Sequence, residues 1–187
     1  MNQFVFLKNF LFLELTSLGS AYTLVQKFTT DSQVKVFEAS PTPRGALLVL
    51  ASASLESLNL ILASLRGNSE AQTSVENSWL GEDLSEKIIE AYLNQVLTPI
   101  KNNLVLVETE SICEAIRATV MAVDKNFEIC EFRTLRSAIY KCIVSLTTQL
   151  SQSEVETIFS TLVTTKKIKL TFVADPTLEI RNQYNLE

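Results

Sequence analysis

The chain contains no histidine, and it has only four glycines, four prolines and three cysteines in 187 residues. Without an imidazole there is no Ser-His-Asp or Cys-His nucleophile, no histidine general base and no histidine-bearing zinc site. Gly19, Gly45, Gly67 and Gly81 stand alone, so no glycine-rich loop is present to cradle a phosphate. Cys113, Cys130 and Cys142 lack a Cys-x-x-Cys spacing and lie amid apolar periodicity. They are expected to be reduced, buried thiols that make no disulfide and bind no metal, as suits a reducing compartment.

Positive charge is also scarce. Lys and Arg number 16 against 21 Asp and Glu, a net charge of −5, and the cations are not clustered with aromatic platforms. That excludes nucleic acid as an expected partner. No stretch is long enough and uncharged enough to span a membrane. Phe4–Leu15 is apolar, but no basic residue precedes it and it carries Lys8 and Glu14, so it reads as a strand rather than a signal sequence and a cytoplasmic protein is expected. The carboxylate pairs Glu108 with Glu110 and Glu154 with Glu156 read as solvated strand and helix residues. No catalytic residue and no cofactor is therefore assigned, and the chain is expected not to be an enzyme.

What is present is a repeat. At 47% hydrophobic and 20% charged residues the chain is globular, and residues 10–66 run through the same order of elements as residues 103–165. Phe10–Glu14 and Leu104–Glu108 are short apolar strands ending in an acid, and each precedes an amphipathic helix. Leu18, Ala21, Tyr22 and Val25 are the expected inward positions of the first helix, and Ile112, Ala115, Ile116 and Thr119 those of its counterpart, each 94 residues later. The next strands, Val34–Glu38 and Phe127–Glu131, are offset by 93, as a one-residue loop deletion would produce. A polar, arginine-bearing loop follows in each copy, Pro41–Gly45 and Thr134–Ser137, and then an apolar strand, Ala46–Leu50 and Ala138–Leu146.

Second helices come next. Leu55, Leu58, Leu62 and Leu65 recur at helical spacing in one, and Val155, Ile158, Phe159 and Leu162 in the other. Ser151 or Ser153 is placed to cap the latter, with Glu154 and Glu156 in its first turn. Ile168–Val173 closes the second copy; Ala71–Glu76 or Ser78–Leu80 closes the first. Between the copies, Leu84, Ile88, Ala91, Tyr92 and Val96 line one side of a linker helix that Pro99 ends. Trp79 reads either as core or as an interface anchor. The expected fold is α+β: two tandem ferredoxin-like repeats, each an antiparallel sheet with its helices on one face. The expected divisions are 1–80, a linker helix at 81–102, and 103–187.

This order, with Leu104-Val-Leu-Val-Glu-Thr-Glu leading into a helix and Met121-Ala-Val-Asp-Lys-Asn-Phe-Glu-Ile leading into the next strand, resembles the bacterial microcompartment shell domain. Ala174-Asp-Pro-Thr-Leu-Glu-Ile and Trp79-Leu-Gly-Glu-Asp-Leu-Ser-Glu are similar in shape to the ends of that domain. The resemblance covers about residues 10–84 and 103–184 and is greatest to tandem-domain shell proteins that form trimers. It implies a non-catalytic homotrimer forming a pseudohexameric disc within a microcompartment, alongside other shell proteins. It further implies that the strand-connecting loops line a central pore, with Arg44, Gly45, Thr134, Arg136 and Ser137 along it. The two arginines would then favour small anionic metabolites. Members commonly carry an edge lysine near the end of the first helix where Thr30 and Val123 stand here, which implies weak tiling into sheets. The alternative is a ferredoxin-like regulatory or ligand-sensing module, which would pair as a dimer around a small molecule.

Overall fold

Each apolar run read above becomes a strand because its side chains are needed on a sheet that helices cover. The computed structural model describes residues 7–29, 33–67, 74–93, 98–134, 142–164 and 168–184. The chain forms two compact units, Met1–Glu86 and Lys87–Glu187.

The first unit contains β1 (Asn9–Leu15), α1 (Leu18–Phe28), β2 (Val34–Thr42), β3 (Gly45–Ser52), α2 (Leu55–Gly67) and β4 (Val75–Gly81). After α3 (Glu86–Tyr92), the second contains β5 (Asn103–Thr109), α4 (Ile112–Val123), β6 (Glu128–Thr134), β7 (Cys142–Thr148), α5 (Gln152–Thr164), β8 (Ile168–Val173) and α6 (Leu178–Asn182). The sheet orders are β2-β3-β1-β4 and β6-β7-β5-β8, and every neighbouring pair is antiparallel. Two ferredoxin-like α+β repeats are thus present.

The core of the first unit lies between its sheet and α1 and α2. Leu11, Leu13 and Leu15 from β1 and Ala46, Leu48 and Leu50 from β3 meet Ala21, Leu24, Leu58, Ile61 and Leu65. Tyr22, expected among the inward residues, is 57% exposed, and Leu24 is buried instead. The stripe is centred on Ala21 and Leu24, which leaves the phenol in water, where its hydroxyl is solvated. The matching Ile116 on α4 is fully buried, and eight residues of α4 are buried against two of α1. The closing strand of the first unit runs over Val75–Gly81, which takes in all of Ser78–Leu80 and the last two residues of Ala71–Glu76, whose residues 71–73 lie outside the described residues. As an edge strand it lacks a clean alternation, and Trp79 lies half-buried with its ring 5.8 Å from that of Phe12.

Shared details extend below the level of topology. Ser17 and Ser111 cap α1 and α4, each accepting from the backbone N–H three residues on, at 3.1 and 3.2 Å. β2 and β6 carry a bulge at the matching place, Phe37 and Cys130 being the extra residues. Asn9 and Asn103 each tie two turns together. Asn9 Nδ2 donates to the Ser52 and Ala53 carbonyls at 3.3 and 3.1 Å, and its Oδ1 accepts from the Asp83 N–H at 3.1 Å. Asn103 Nδ2 donates to the Leu150 carbonyl at 3.0 Å, and its Oδ1 accepts from the Asp175 N–H at 3.2 Å. Asp83 and Asp175 both have positive φ, 46° and 40°. A cation braces each of these turns: Lys8 lies 3.2 Å from Asp83 and Arg181 lies 2.8 Å from Asp175.

The linker helix is α3, shorter than the span read from sequence, with Ile88, Ala91 and Tyr92 buried and Tyr92 edge-on to Phe132 at 5.7 Å. Val96 lies outside the described residues. In the second unit the sheet face away from α4 and α5 is also covered. Leu104 and Cys130 pack there with Ile100, Ile180 and Tyr184, and the Tyr184 hydroxyl is 3.0 Å from Ser145 Oγ.

Three expected outcomes follow from this architecture. Asn103→Ala removes both turn bonds and should lower stability by about 1–2 kcal/mol in urea denaturation, whereas Asn103→Asp, which keeps the acceptor for the Asp175 N–H, should lose less. Gly45→Ala should be more damaging, because a Cβ there would lie 1.9 Å from the Leu15 carbonyl oxygen, so β1 or β3 must move; Gly67→Ala meets nothing within 4 Å at a helix end and should stabilise by about 0.5–1 kcal/mol. Thermal or denaturant midpoints of the two variants should therefore shift in opposite directions.

The third concerns pH. Glu154 accepts from Ser151 Oγ at 2.6 Å and from the Ser151 N–H at 2.8 Å, the carboxylate half of a capping box at the start of α5, and these bonds hold its carboxyl below the ordinary glutamate value. A depressed folded-state pKa adds stability that is present above the unfolded value of about 4.3 and is lost as pH falls through the folded one. The stability gap between the wild type and Glu154→Gln should therefore be constant at neutral pH and close under acid. Unfolding midpoints from pH 7 downward measure it.

Candidate functional site

The loops expected to carry function are the β2–β3 and β6–β7 connections. Thr42 pairs with Gly45, so Pro43 and Arg44 alone make the first turn. Proline fixes φ near the value the first turn position requires. Gly45 is required because the end of β1 passes directly against its Cα, so the hairpin is tied to the start of α1. Arg44 is exposed at the tip and Gly45 is half-buried behind it.

The second connection differs. Thr134, half-buried, pairs with Cys142, which leaves seven residues between the paired strands where the first unit has two. Most of the expected loop over Thr134–Ser137 and the start of the expected strand from Ala138 lie outside the described residues, and the described pairing resumes at Cys142. Arg136 and Ser137 lie outside the described residues, as do Ala138 and Thr30. The register also bears on the two arginines. β2 matches β6 at an offset of 93 and β3 matches β7 at 96, so Arg44 corresponds to Ser137 counted from one stem and to Tyr140 from the other. Arg44 and Arg136 are thus not at matched positions.

The hairpin stems also hold acids that sequence reading passed over. Glu38 and Glu131 occupy matched places, and each is engaged by the residue two positions on: Ser40 Oγ donates to Glu38, and Arg133 donates to Glu131 from Nε at 2.9 Å and Nη2 at 2.5 Å. An acid with a hydrogen-bonding partner two residues on, along one strand face, was the available signal. Next to the central strand of the second unit, Lys169 on β8 lies 3.0 Å from Glu108. The carboxylates near these loops are thus held in local pairs rather than in a paired acid–base arrangement.

The three cysteines are buried and none is in a disulfide. Burial, with the nearby Glu128 charge adding to it, pushes the Cys130 thiol up to about 12, so it is protonated and unreactive at neutral pH. Among the described residues no group of three cysteine or carboxylate side chains could hold a metal, and no helix is long and apolar enough to cross a membrane. Val123, one of the positions matched to an edge lysine, is half-buried at the end of α4.

No protein-family profile matches the chain, and no curated protein matches it by sequence. Solved structures do. A microcompartments protein from Desulfitobacterium hafniense DCB superposes with a TM-score of 0.74 at 20% identity, covering 93% of this chain and 98% of that one. A proposed glycine cleavage system transcriptional repressor gives a TM-score of 0.32 at 12% identity, over 89% and 96% of the two chains. Chlorite dismutase from Candidatus Nitrospira defluvii gives 0.31 at 8% identity, over 94% of each. The last two likenesses are too slight to carry an argument. The first extends over nearly the whole of both chains, and with it the chain shares the two-repeat fold of a microcompartment protein.

Proposed function

We propose that the protein is a non-catalytic shell-type component of a bacterial microcompartment: a ring of three chains, six repeats in all, around a central pore. The observation that carries this reading is the full-length fold likeness to a microcompartments protein, at a TM-score of 0.74. Internal duplication supports it, because a chain of two matched units can place one unit at every sixth of a ring and so close without leaving a repeat unpartnered. Closure would also cover edge strands such as β2 and β4, whose outer backbone groups are otherwise open to pairing.

In this reading the β2–β3 and β6–β7 connections face the axis. Arg44, Gly45, Thr134, Arg136 and Ser137 line the opening, and the arginines give a basic constriction in an acidic chain. Small anionic metabolites would pass it most readily. The absence of histidine and the local pairing of the strand carboxylates agree with a passive role.

Native mass spectrometry should give three times the chain mass of 20.9 kDa. A stable monomer at micromolar concentration overturns the ring, and a ligand-dependent dimer would favour the sensing module instead. If the trimer forms, Arg44→Ala with Arg136→Ala should abolish sulfate or phosphate binding and leave the trimer at least as stable, because like charges gathered on an axis repel. Anion binding unchanged in that double variant would remove the basic pore while leaving the ring.

A further inference from the structure

The second unit carries a cleft beside its linker helix. It has a volume of about 480 Å³ and lies between α3, the C-terminal end of α4 and the start of β6. Its floor is apolar and fixed. Phe127 and Ile129 are buried, and the Phe127 ring is edge-on to Phe159 at 5.9 Å. The backbone holds the floor in place as well: Asn126 takes a left-handed φ of 62°, the Phe127 N–H donates to the Ala122 carbonyl and the Asn126 N–H to the Val123 carbonyl, both at 3.0 Å. That is a Schellman closure, so Phe127 is aimed by the helix end rather than by a free loop.

The walls are polar and of both signs. Lys87 and Glu90 stand at i and i+3 on α3, and Thr98 and Glu128 complete the rim. Glu128 is already neutralised by Lys101 at 2.8 Å. Among the described residues, no hydrogen bond or ion pair engages the side chain of Lys87, Glu90 or Thr98. One cation, one anion and one hydroxyl thus remain over an apolar floor, in a cleft within the range of about 300–1,000 Å³ that small-molecule sites occupy. The counterparts of Phe127 and Glu128 in the first unit are Val34 and Lys35, so this pair of side chains is particular to the second unit.

The geometry points to a binding site for a small zwitterion with an apolar side chain, an α-amino acid. Its carboxylate meets Lys87, its ammonium meets Glu90, and its side chain lies over Phe127 and Ile129. The charge pair explains why an amino acid is favoured over a simple amine or acid: either of those leaves one of the two facing charges unanswered. The fixed floor lowers the ordering cost of binding. This site does not depend on the ring or its pore.

The test is an amide-resolved NMR titration of the full chain with L-phenylalanine, 3-phenylpropanoate and 2-phenylethylamine. Saturable shifts at Phe127, Glu128 and Ile129 are expected for phenylalanine with a Kd of about 1 mM, and binding of each single-charge analogue should be at least about fivefold weaker. Lys87→Ala should erase the preference over phenylethylamine, and Glu90→Gln the preference over phenylpropanoate. Both residues are on the surface of α3, and far-UV circular dichroism reports whether the variants keep their fold. Equal affinity for all three compounds, preferences unchanged in the variants, or no shift with phenylalanine at concentrations of about 20 mM overturns the site, independently of whether the protein is a trimer.

Discussion

Everything in each unit is organised by one obligation: the helix-facing side of a four-stranded sheet must be removed from water by only two helices. The central strand meets it first. β1 lies between β3 and β4, and its Leu11, Leu13 and Leu15 stand beside Leu50, Leu48 and Ala46 of β3, so the most apolar rows are neighbours in the middle of the sheet. Fully burying a leucine is worth about 1.5–3 kcal/mol, against roughly 1–2 kcal/mol of backbone entropy for each residue ordered, so only a strand buried at nearly every position gains decisively. Edge strands gain less and can carry polar residues along their length, which is why β2 and β4 hold Ser40, Pro41, Thr42, Asn77 and Ser78 while β1 and β3 hold most of the leucines.

With the centre fixed, the ends of the strands have to dispose of backbone groups that no longer have ladder partners. Asn9 and Asn103 do this at one end of the sheet, each joining the turn after the third strand to the turn after the fourth. At the other end Gly45 does it by having no side chain, which lets the Leu15 carbonyl pass close to its Cα. A carboxamide supplies a donor and an acceptor together, and aspartate or glutamine would supply only one of these or place them a methylene too far. The recurrence of asparagine at the same register point in both units has this physical cause.

The fold was largely legible because both helical and strand periods were clean and appeared twice. The offset of 94 holds from Asn9 with Asn103 through Ser17 with Ser111, and 93 at the bulges, so the slip lies between the first helix and the second strand, where a loop can absorb it. What the sequence hid was subtler. Tyr22 has the spacing of a core residue, and only its exposure in one unit against the burial of Ile116 in the other separates them. The closing strand of the first unit was blurred because Asn77 and Ser78 interrupt it, and an edge strand tolerates them. Among the loop residues, Arg44, Gly45 and Thr134 are described, but β2 runs on through Thr42 and β6 through Thr134, past the strand ends read from sequence, and the spacing of the second connection could not be measured without knowing that Thr134 pairs with Cys142. The cleft was invisible for another reason: Lys87, Glu90 and Phe127 belong to three different local patterns, and only tertiary packing brings them together.

Duplication frees the two units to diverge on one scaffold. A chain with a single repeat must show the same surface at every place in an assembly, whereas a chain with two can keep the shared core and alter one exterior. The side chains show that this has happened. α1 buries two residues and leaves Tyr22 in water; α4, at matched register, buries eight, including Cys113 and Glu114 at positions where α1 has Gly19 and Ser20. The hairpin acids Glu38 and Glu131 are retained, but one is paired with a serine and the other with an arginine. Selection for packing explains the retained leucines and capping serines, since their loss costs a similar amount in either unit. Glu128 in place of Lys35 is a different kind of change: both side chains are exposed, so the reversal of charge alters the exterior of one unit and leaves the shared core untouched.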